Sequence, residues 1–233
     1  MEQLFYAPAI ETAPELPEDE SLHCARVLRL KTGDPITITD GKGFFYSANL
    51  INTHPKHCQV IITKRWPQQT LRKYRLHIAV APVKSIERME WFVEKATEIG
   101  IETITFLNCR YSERKQINLL RLFKIAISAM KQSQKAFLPE INGMIDFHAF
   151  IAQDFNGMKM IAHCADHDKQ LMKNVYLPPL HALVLIGPEG DFSPEEIDDA
   201  LSAGFIPISL GDSRLRTETA SLIACHTIHL LNQ

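Results

Sequence analysis

Two rhythms divide the chain. Up to residue 64, apolar positions come in short alternating runs broken by turn residues. From residue 74, apolar runs of strand length alternate with stretches of helical period. In the first region "DPITITDGKGFFYSANLI" alternates on both sides of Asp40-Gly41, a hairpin signal. "CQVIITK" reads as another strand. Short strands with turn signals predict a small β-barrel. The polar stretch "RWPQQTLRK", 65–73, carries Pro67 and reads as a linker, which sets the domains at 1–70 and 74–233.

In the second region "RLHIAVAP" is a strand, and "SIERMEWFVEKATEIG" is an amphipathic helix that Gly100 can end in a left-handed cap. "IETITFL" is a strand, and a long helix is expected over 116–137, stopped before Pro139. "KMIAHC" and "HALVLI" are strands. Ser193-Pro194-Glu195-Glu196 is a capping box with proline at the first helical position and opens the helix "PEEIDDALSAG". "PISL" is a short strand, and a last helix is expected over 217–231 with Thr217 as its N-cap. Alternating strands and helices predict an α/β domain with a mainly parallel sheet. The last helix is apolar around most of its circumference (Ala220, Leu222, Ile223, Ala224, Cys225, Ile228, Leu230, Leu231), so it needs a packing partner besides its own sheet. A second subunit is the expected partner.

Composition narrows the class. Apolar residues make up 45% of 233, enough for real cores, and no run of about 18 apolar residues occurs to span a membrane. The first residues show no basic segment followed by an apolar one, so a cytoplasmic protein is expected. The five cysteines are scattered, without a C-x-x-C pair, which argues against a disulfide framework and a structural zinc site. "HCADHD", 163–168, has residue types that bind metals, but polar loops after strands are ordinary, and no metal is expected. Trp66 and Phe44-Phe45 could stack bases but read more readily as core or linker anchors.

The net charge of −2 conceals a local excess: residues 110–135 hold seven basic side chains and one acid, whereas 151–233 hold five basic against eleven acidic. If helical throughout, Arg114, Arg121, Lys124, Lys131 and Lys135 form one stripe, an expected contact for an RNA backbone. Arg26, Arg29 and Lys31 of the first region are a second such candidate.

Two segments carry the candidate chemistry. "VLIGPEGDFSPEE" puts Gly187 and Gly190 at the carboxyl end of a strand, where open α/β sheets bind ligands, and is expected to leave open backbone there. "SLGDSRLRTETASLIA" repeats the strand–glycine–helix arrangement at Gly211. Neither is a P-loop or a G-x-G-x-x-G fingerprint. Glu189 from the one, with Arg216 and Glu218 from the other, would make a pocket of mixed charge, better suited to a zwitterionic or cationic small molecule than to a triphosphate. Arg110, after the strand "TITFLNC", is expected over the same edge.

"LIGPEGDFSPEEI" followed by "LGDSRLRTETASLIA" resembles the signature of the RsmE family, the 16S rRNA (uridine-N3) methyltransferases of the SPOUT superfamily. "EWFVEKATEIGI", "RYSERKQ…RLFKIAISAMKQSQKAFLPEI" and "HCARVLRLKTGDPITITDGKG" extend the resemblance over nearly the whole chain. Asp191 stands where the family pattern has a second glycine, Lys131 where it has glutamate and Lys135 where it has arginine. The resemblance implies an α/β protein with an N-terminal PUA-like small β-barrel and a C-terminal SPOUT domain with a deep trefoil knot. It implies S-adenosyl-L-methionine (SAM) as cofactor, held at Ile186, Gly187, Pro188, Glu189, Gly190, Leu210, Gly211, Leu215, Arg216 and Thr217. It further implies a homodimer with the pocket completed across its two subunits, in agreement with an interface at the last helix, and 16S rRNA of the small subunit as substrate, methylated at uridine 1498 by family convention. Uridine N3 must lose a proton to attack a methyl group, so a base and a stabilising cation are needed. The candidates are Glu189, Asp191 and Glu218 as base, and Arg110 and Arg216 as cation. A non-catalytic RNA-binding protein and an enzyme of another nucleotide cofactor are the competing readings.

Overall fold

The computed structural model describes residues 3–68, 73–165 and 168–233. It falls into two compact units, one of residues 1–71 with 127–138, the other of 72–126 with 139–233.

The first unit is a four-stranded sheet of order β1-β2-β3-β4: β1 (Leu4–Tyr6), β2 (Pro35–Thr39), β3 (Phe44–His54) and β4 (His57–Pro67). β1 lies parallel to β2, and the other pairs are antiparallel. A short helix α1 (Glu18–Leu22) continues as a π-helical turn, His23–Val27. Alternation along the strands sends Ile38, Tyr46, Ala48, Leu50 and Val60 into one core with Phe5, Ile10, Leu16 and Cys24. The expected hairpin is present, and buried Asp40 organises it. Its Oδ1 accepts the Lys42 and Phe44 N–H groups at 2.7 and 3.2 Å, and its Oδ2 accepts the Tyr46 hydroxyl at 3.1 Å. Residues 136–138 join this unit through the same hairpin: the Gly43 N–H donates to the Ala136 carbonyl, and Leu138 N–H to that of Gly41. A Cβ on Gly43 would lie 2.5 Å from the Phe137 ring, so glycine is required for this close approach.

The second unit is a seven-stranded, all-parallel sheet of order β7-β6-β5-β10-β8-β11-β9. In chain order the elements are β5 (Leu76–Val80), α2 (Ile86–Ile99), β6 (Thr103–Asn108), α3 (Leu119–Gln132, its residues from 127 on belonging to the first unit), β7 (Glu140–Asp146), α4 (Phe147–Ile151) and β8 (Met158–Ala162). Then follow β9 (Gln170–Leu171), α5 (Met172–Val175), β10 (Ala182–Ile186), α6 (Pro194–Ser202), β11 (Ile206–Ser209) and α7 (Thr217–Leu231). Every residue of β10 is buried, as an unbroken apolar run in a sheet covered on both faces should be. Leu183 and Leu185 pack with Phe147, Phe192 and Ile197, while α7 packs on α2, β5 and β10. Gly100 ends α2 at φ 105°, in the left-handed cap expected of it.

Three expectations require correction. The long helix covers 119–132, not 116–137. Asn118 Oδ1 accepts the Arg121 N–H in a cap-type bond, and Gln134, at φ 54°, turns the chain out of the helix. The strand β7 was not anticipated. It carries Asn142-Gly143 in its middle, and Gly143 is the extra residue of a bulge opposite Thr105 and Phe106. The N-cap of α7 is Arg216; Thr217 is the first helical residue, and its hydroxyl donates to the Gly187 carbonyl at 3.0 Å.

Candidate active site

All seven strands run the same way, so the loops after β5, β6, β8, β10 and β11 share one edge of the sheet. β10 sits between β5 and β8, although both precede it in the chain. That reversal of strand order marks the place where such sheets bind ligands. The turn after β10, Gly187–Ser193, therefore has neighbours on either side.

Three acids of "GPEGDFSPEE" join this turn to those neighbours. Glu189 Oε1 accepts the Lys84 N–H from the loop after β5, at 3.0 Å. Asp191 Oδ2 accepts the Cys164 N–H from the loop after β8, at 2.7 Å. Glu196 Oε1 accepts the Arg110 N–H from the loop after β6, at 2.8 Å. The other Glu196 oxygen closes the capping box on Ser193 N–H at 2.8 Å, so the box foreseen from sequence also staples two strand ends. The carboxylates thus serve backbone N–H groups of loops that would otherwise need water or a ligand. Arg114 adds to the same lattice, donating to the carbonyls of Val83 and Lys84.

The sequence candidates sort accordingly. Ile186 is buried at the end of β10. Gly187 does not leave open space as expected: a Cβ there would stand 3.1 Å from the backbone N and ring of Phe192, so its room is taken within the turn. A Cβ on Gly190 would meet Tyr111 at 3.3 Å. Gly211 is different. Its φ is 123° and nothing lies within 4 Å of a Cβ placed there, so its backbone is left-handed and open. Pro188 is buried, Leu210 and Leu215 are half-buried, and Arg214 and Arg216 are exposed. The Arg110 side chain reaches Glu195 Oε2 at 3.0 Å. The Glu195 carboxyl is held below its ordinary range, first by its own backbone N–H, then by Ser193 and Arg110. Glu218 has a side chain 8% exposed, Arg88 Nε 3.9 Å from one oxygen, and no hydrogen-bond partner for Oε2 among the described residues. Cys109 is no nucleophile: burial, and next the Glu196 carboxylate, push its thiol well up.

The basic stripe does not survive as a free surface. Arg114 and Lys135 lie outside α3. Arg121 pairs with Glu90 at 2.6 Å, and Lys131, its side chain 18% exposed, pairs with Glu20 at 2.5 Å. These partners come from elsewhere in the chain, which a count along the helix cannot see. Lys124 is exposed. Arg26, Arg29 and Lys31 are exposed, and their side chains make no ion pair among the described residues. Phe45 and Trp66 face each other across β3 and β4, ring centroids 5.9 Å apart. Of the "HCADHD" stretch, Asp166 and His167 lie outside the described residues. No helix among the described residues is long and apolar enough to cross a membrane.

Residues 70–229 match the RNA methyltransferase domain, and 16–63 match the RNA methyltransferase PUA domain. A relative named ribosomal RNA small subunit methyltransferase E, from Buchnera aphidicola subsp. Acyrthosiphon pisum, is 32% identical over 214 residues, 88% of this chain and 83% of its own. The crystal structure of a probable rRNA-methyltransferase from Porphyromonas gingivalis superposes with a TM-score of 0.94 at 45% identity, covering 99% of this chain and 98% of that one. A candidate methyltransferase from Legionella pneumophila, solved with its cofactor SAM bound, gives 0.88 at 29% identity, over 99% and 98% of the two chains. The architecture is thus that of an RNA methyltransferase domain carrying an RNA methyltransferase PUA domain. The chain belongs to the RNA methyltransferase family, among the ribosomal RNA small subunit methyltransferase E proteins.

Proposed function

We propose that this protein uses SAM to methylate N3 of a uridine in 16S rRNA, on the small ribosomal subunit in the cytoplasm, acting as a homodimer with a knotted cofactor domain. The observation that carries the cofactor is the pair of glycine-bearing turns at one sheet edge, one stapled by acids and the other open at Gly211. A phosphate would meet carboxylates there, whereas SAM has no phosphate and bears cationic sulfonium and ammonium groups. The backbone of Ile186–Gly190 and Leu210–Thr217 would hold the cofactor, as it is named for the Legionella relative. The Thr217 bond to Gly187 ties the two turns together, which accords with a knotted crossing.

When bound, SAM supplies an electrophilic methyl group. The chain must supply proton removal from uridine N3 and charge stabilisation on the ring. Among the candidate groups, Asp191 has both oxygens engaged with backbone N–H groups, Glu189 is solvent-exposed with Oε1 on the Lys84 N–H, and Arg110 is paired with Glu195. Glu218 retains an oxygen able to take a proton, and Arg216 is an exposed cation two residues earlier. We assign the base to Glu218 and the stabilising cation to Arg216. The RNA-backbone contact is assigned to Arg26, Arg29 and Lys31 rather than to the partnered side chains of the α3 stripe. The dimer is assigned to α7, where Leu230 is 56% exposed and Leu222 and Ile223 are half-buried.

Calorimetric titration with SAM tests the reading. Wild type should bind, and Gly211→Val, which fills the open side of a left-handed position, should not. A folded Gly211→Val protein with unchanged SAM affinity removes the assigned pocket. RNA binding without SAM binding would leave the non-catalytic reading.

A further inference from the structure

Asp191, in the turn after β10, has an unassigned task. Asp191 occupies a left-handed conformation, φ 67°, which glycine adopts without steric cost and other residues rarely do. Aspartate is tolerated there when its carboxylate bonds locally, and Oδ1 does so, accepting its neighbour's Phe192 N–H at 2.9 Å. That bond explains the tolerance but not a use. The use lies with Oδ2, which reaches Cys164 N–H across 27 residues of chain, at 2.7 Å.

β8 and β10 are adjacent and in register, Ala162 opposite Ile186, so the loops that follow them start level. The loop at 163–165 is gripped from both sides. Asp191 takes its N–H group at Cys164, and Lys169 Nζ donates to the carbonyls of His163 and Ala165, at 3.0 and 2.6 Å. Such a loop is a fixed wall beside the turn after β10. A glycine at 191 would keep the turn and remove one of the two grips, leaving the wall held by Lys169 alone.

We propose that Asp191 is a positioning residue for the SAM pocket, bracing the loop 163–165 against the Gly187–Ser193 turn so that the pocket wall is ordered before the cofactor arrives. The proposal rests on the SAM reading above. A braced wall spares the ordering cost that binding otherwise bears. Its loss weakens binding and leaves the transfer step of the bound complex alone.

The experiment compares wild type with Asp191→Gly, which keeps the backbone conformation and removes both acceptors, and Asp191→Asn, which tolerates the conformation and keeps one carbonyl oxygen. SAM affinity is read by calorimetry and kcat at saturating SAM by methyl transfer. The brace itself is read without cofactor by the rate at which Ellman's reagent labels Cys164, the one exposed cysteine, Cys24, Cys58, Cys109 and Cys225 being buried. Asp191→Gly should bind SAM about tenfold more weakly, the worth of roughly one hydrogen bond to a charged group. It should also label faster at Cys164 and keep kcat within about twofold, with Asp191→Asn intermediate. Wild-type SAM affinity in folded Asp191→Gly overturns the proposal, whatever the labelling rate, and so does a loss confined to kcat. If wild type itself fails to bind SAM, the SAM reading falls and the proposal with it. If wild type binds and Asp191→Gly binds equally well, only the brace is refuted.

Discussion

Glu195 and Glu196 are neighbours with opposite expected consequences, and removing each in turn tests the stapled turn. The Glu196 side chain is buried, the residue being 2% exposed, and accepts two backbone N–H groups, from Ser193 and Arg110, both at 2.8 Å. Hydrogen bonds to a charged group are worth about 1.5–3 kcal/mol each. Glu196→Ala removes both acceptors, and the Ser193 N–H is left where water has little access, Ser193 being 1% exposed. The cap from Ser193 Oγ to the N–H of residue 196 persists, since it needs no side chain there. The expected loss is therefore about 3–6 kcal/mol. The Glu195 carboxyl interacts with its own N–H, Ser193 and Arg110, but it is exposed and its ion pair with Arg110 has both side chains more than half exposed, so Glu195→Ala should change stability by less than about 1 kcal/mol. Urea unfolding reads both. Trp66 lies in the first unit and Trp91, on α2, in the second, so a Trp66→Phe background lets Trp91 report the second unit alone. Equal midpoints for the two alanine variants, or a Glu196→Ala loss below about 1 kcal/mol, would refute the staple.

Arg26→Glu with Arg29→Glu should weaken rRNA binding and leave SAM affinity intact, with the slope of log affinity against log salt falling by roughly 0.7–0.9 per lost phosphate contact; an unchanged slope places the RNA elsewhere. Light scattering at micromolar concentration should give twice the chain mass, and Leu230→Glu should shift it toward one; a monomeric wild type removes the α7 interface. Burial holds the His77 imidazole down at about 4 from an ordinary 6.5, so the unfolded chain binds more protons between those values. Stability from this residue is complete above pH 6.5 and is lost as pH falls toward 4, by about 3 kcal/mol in all, and His77→Gln should flatten that slope in urea midpoints measured at pH 5 and 7.

What could be read from sequence was local. The last helix runs over the expected 217–231, the Ser193 box closes on Glu196, Gly100 is left-handed, and the Asp40-Gly41 hairpin forms. Each depends on residues within a few positions of one another. What was missed depends on distant partners. Thr217 has the chemistry of an N-cap, but its hydroxyl bonds Gly187, 30 residues back, and the N-cap is the residue before it, Arg216. Glu189 was read with Arg216 and Glu218 as lining a pocket of mixed charge, yet its Oε1 satisfies the Lys84 N–H, as Asp191 and Glu196 do those of residues 164 and 110. β7 hid behind Asn142-Gly143, because an edge strand with a bulge shows no clean alternation. The α3 stripe looked unopposed because Glu90 and Glu20 lie far off in sequence.

The central claim is methyl transfer to N3 of one uridine in 16S rRNA. The direct measurement incubates the protein with methyl-labelled SAM and small ribosomal subunits from cells lacking it, then digests the RNA and identifies the labelled nucleoside by mass spectrometry. The account predicts a single labelled product, 3-methyluridine, at one position, and none with Glu218→Gln. Label in any other nucleoside, or no label from a protein that binds SAM, would contradict it.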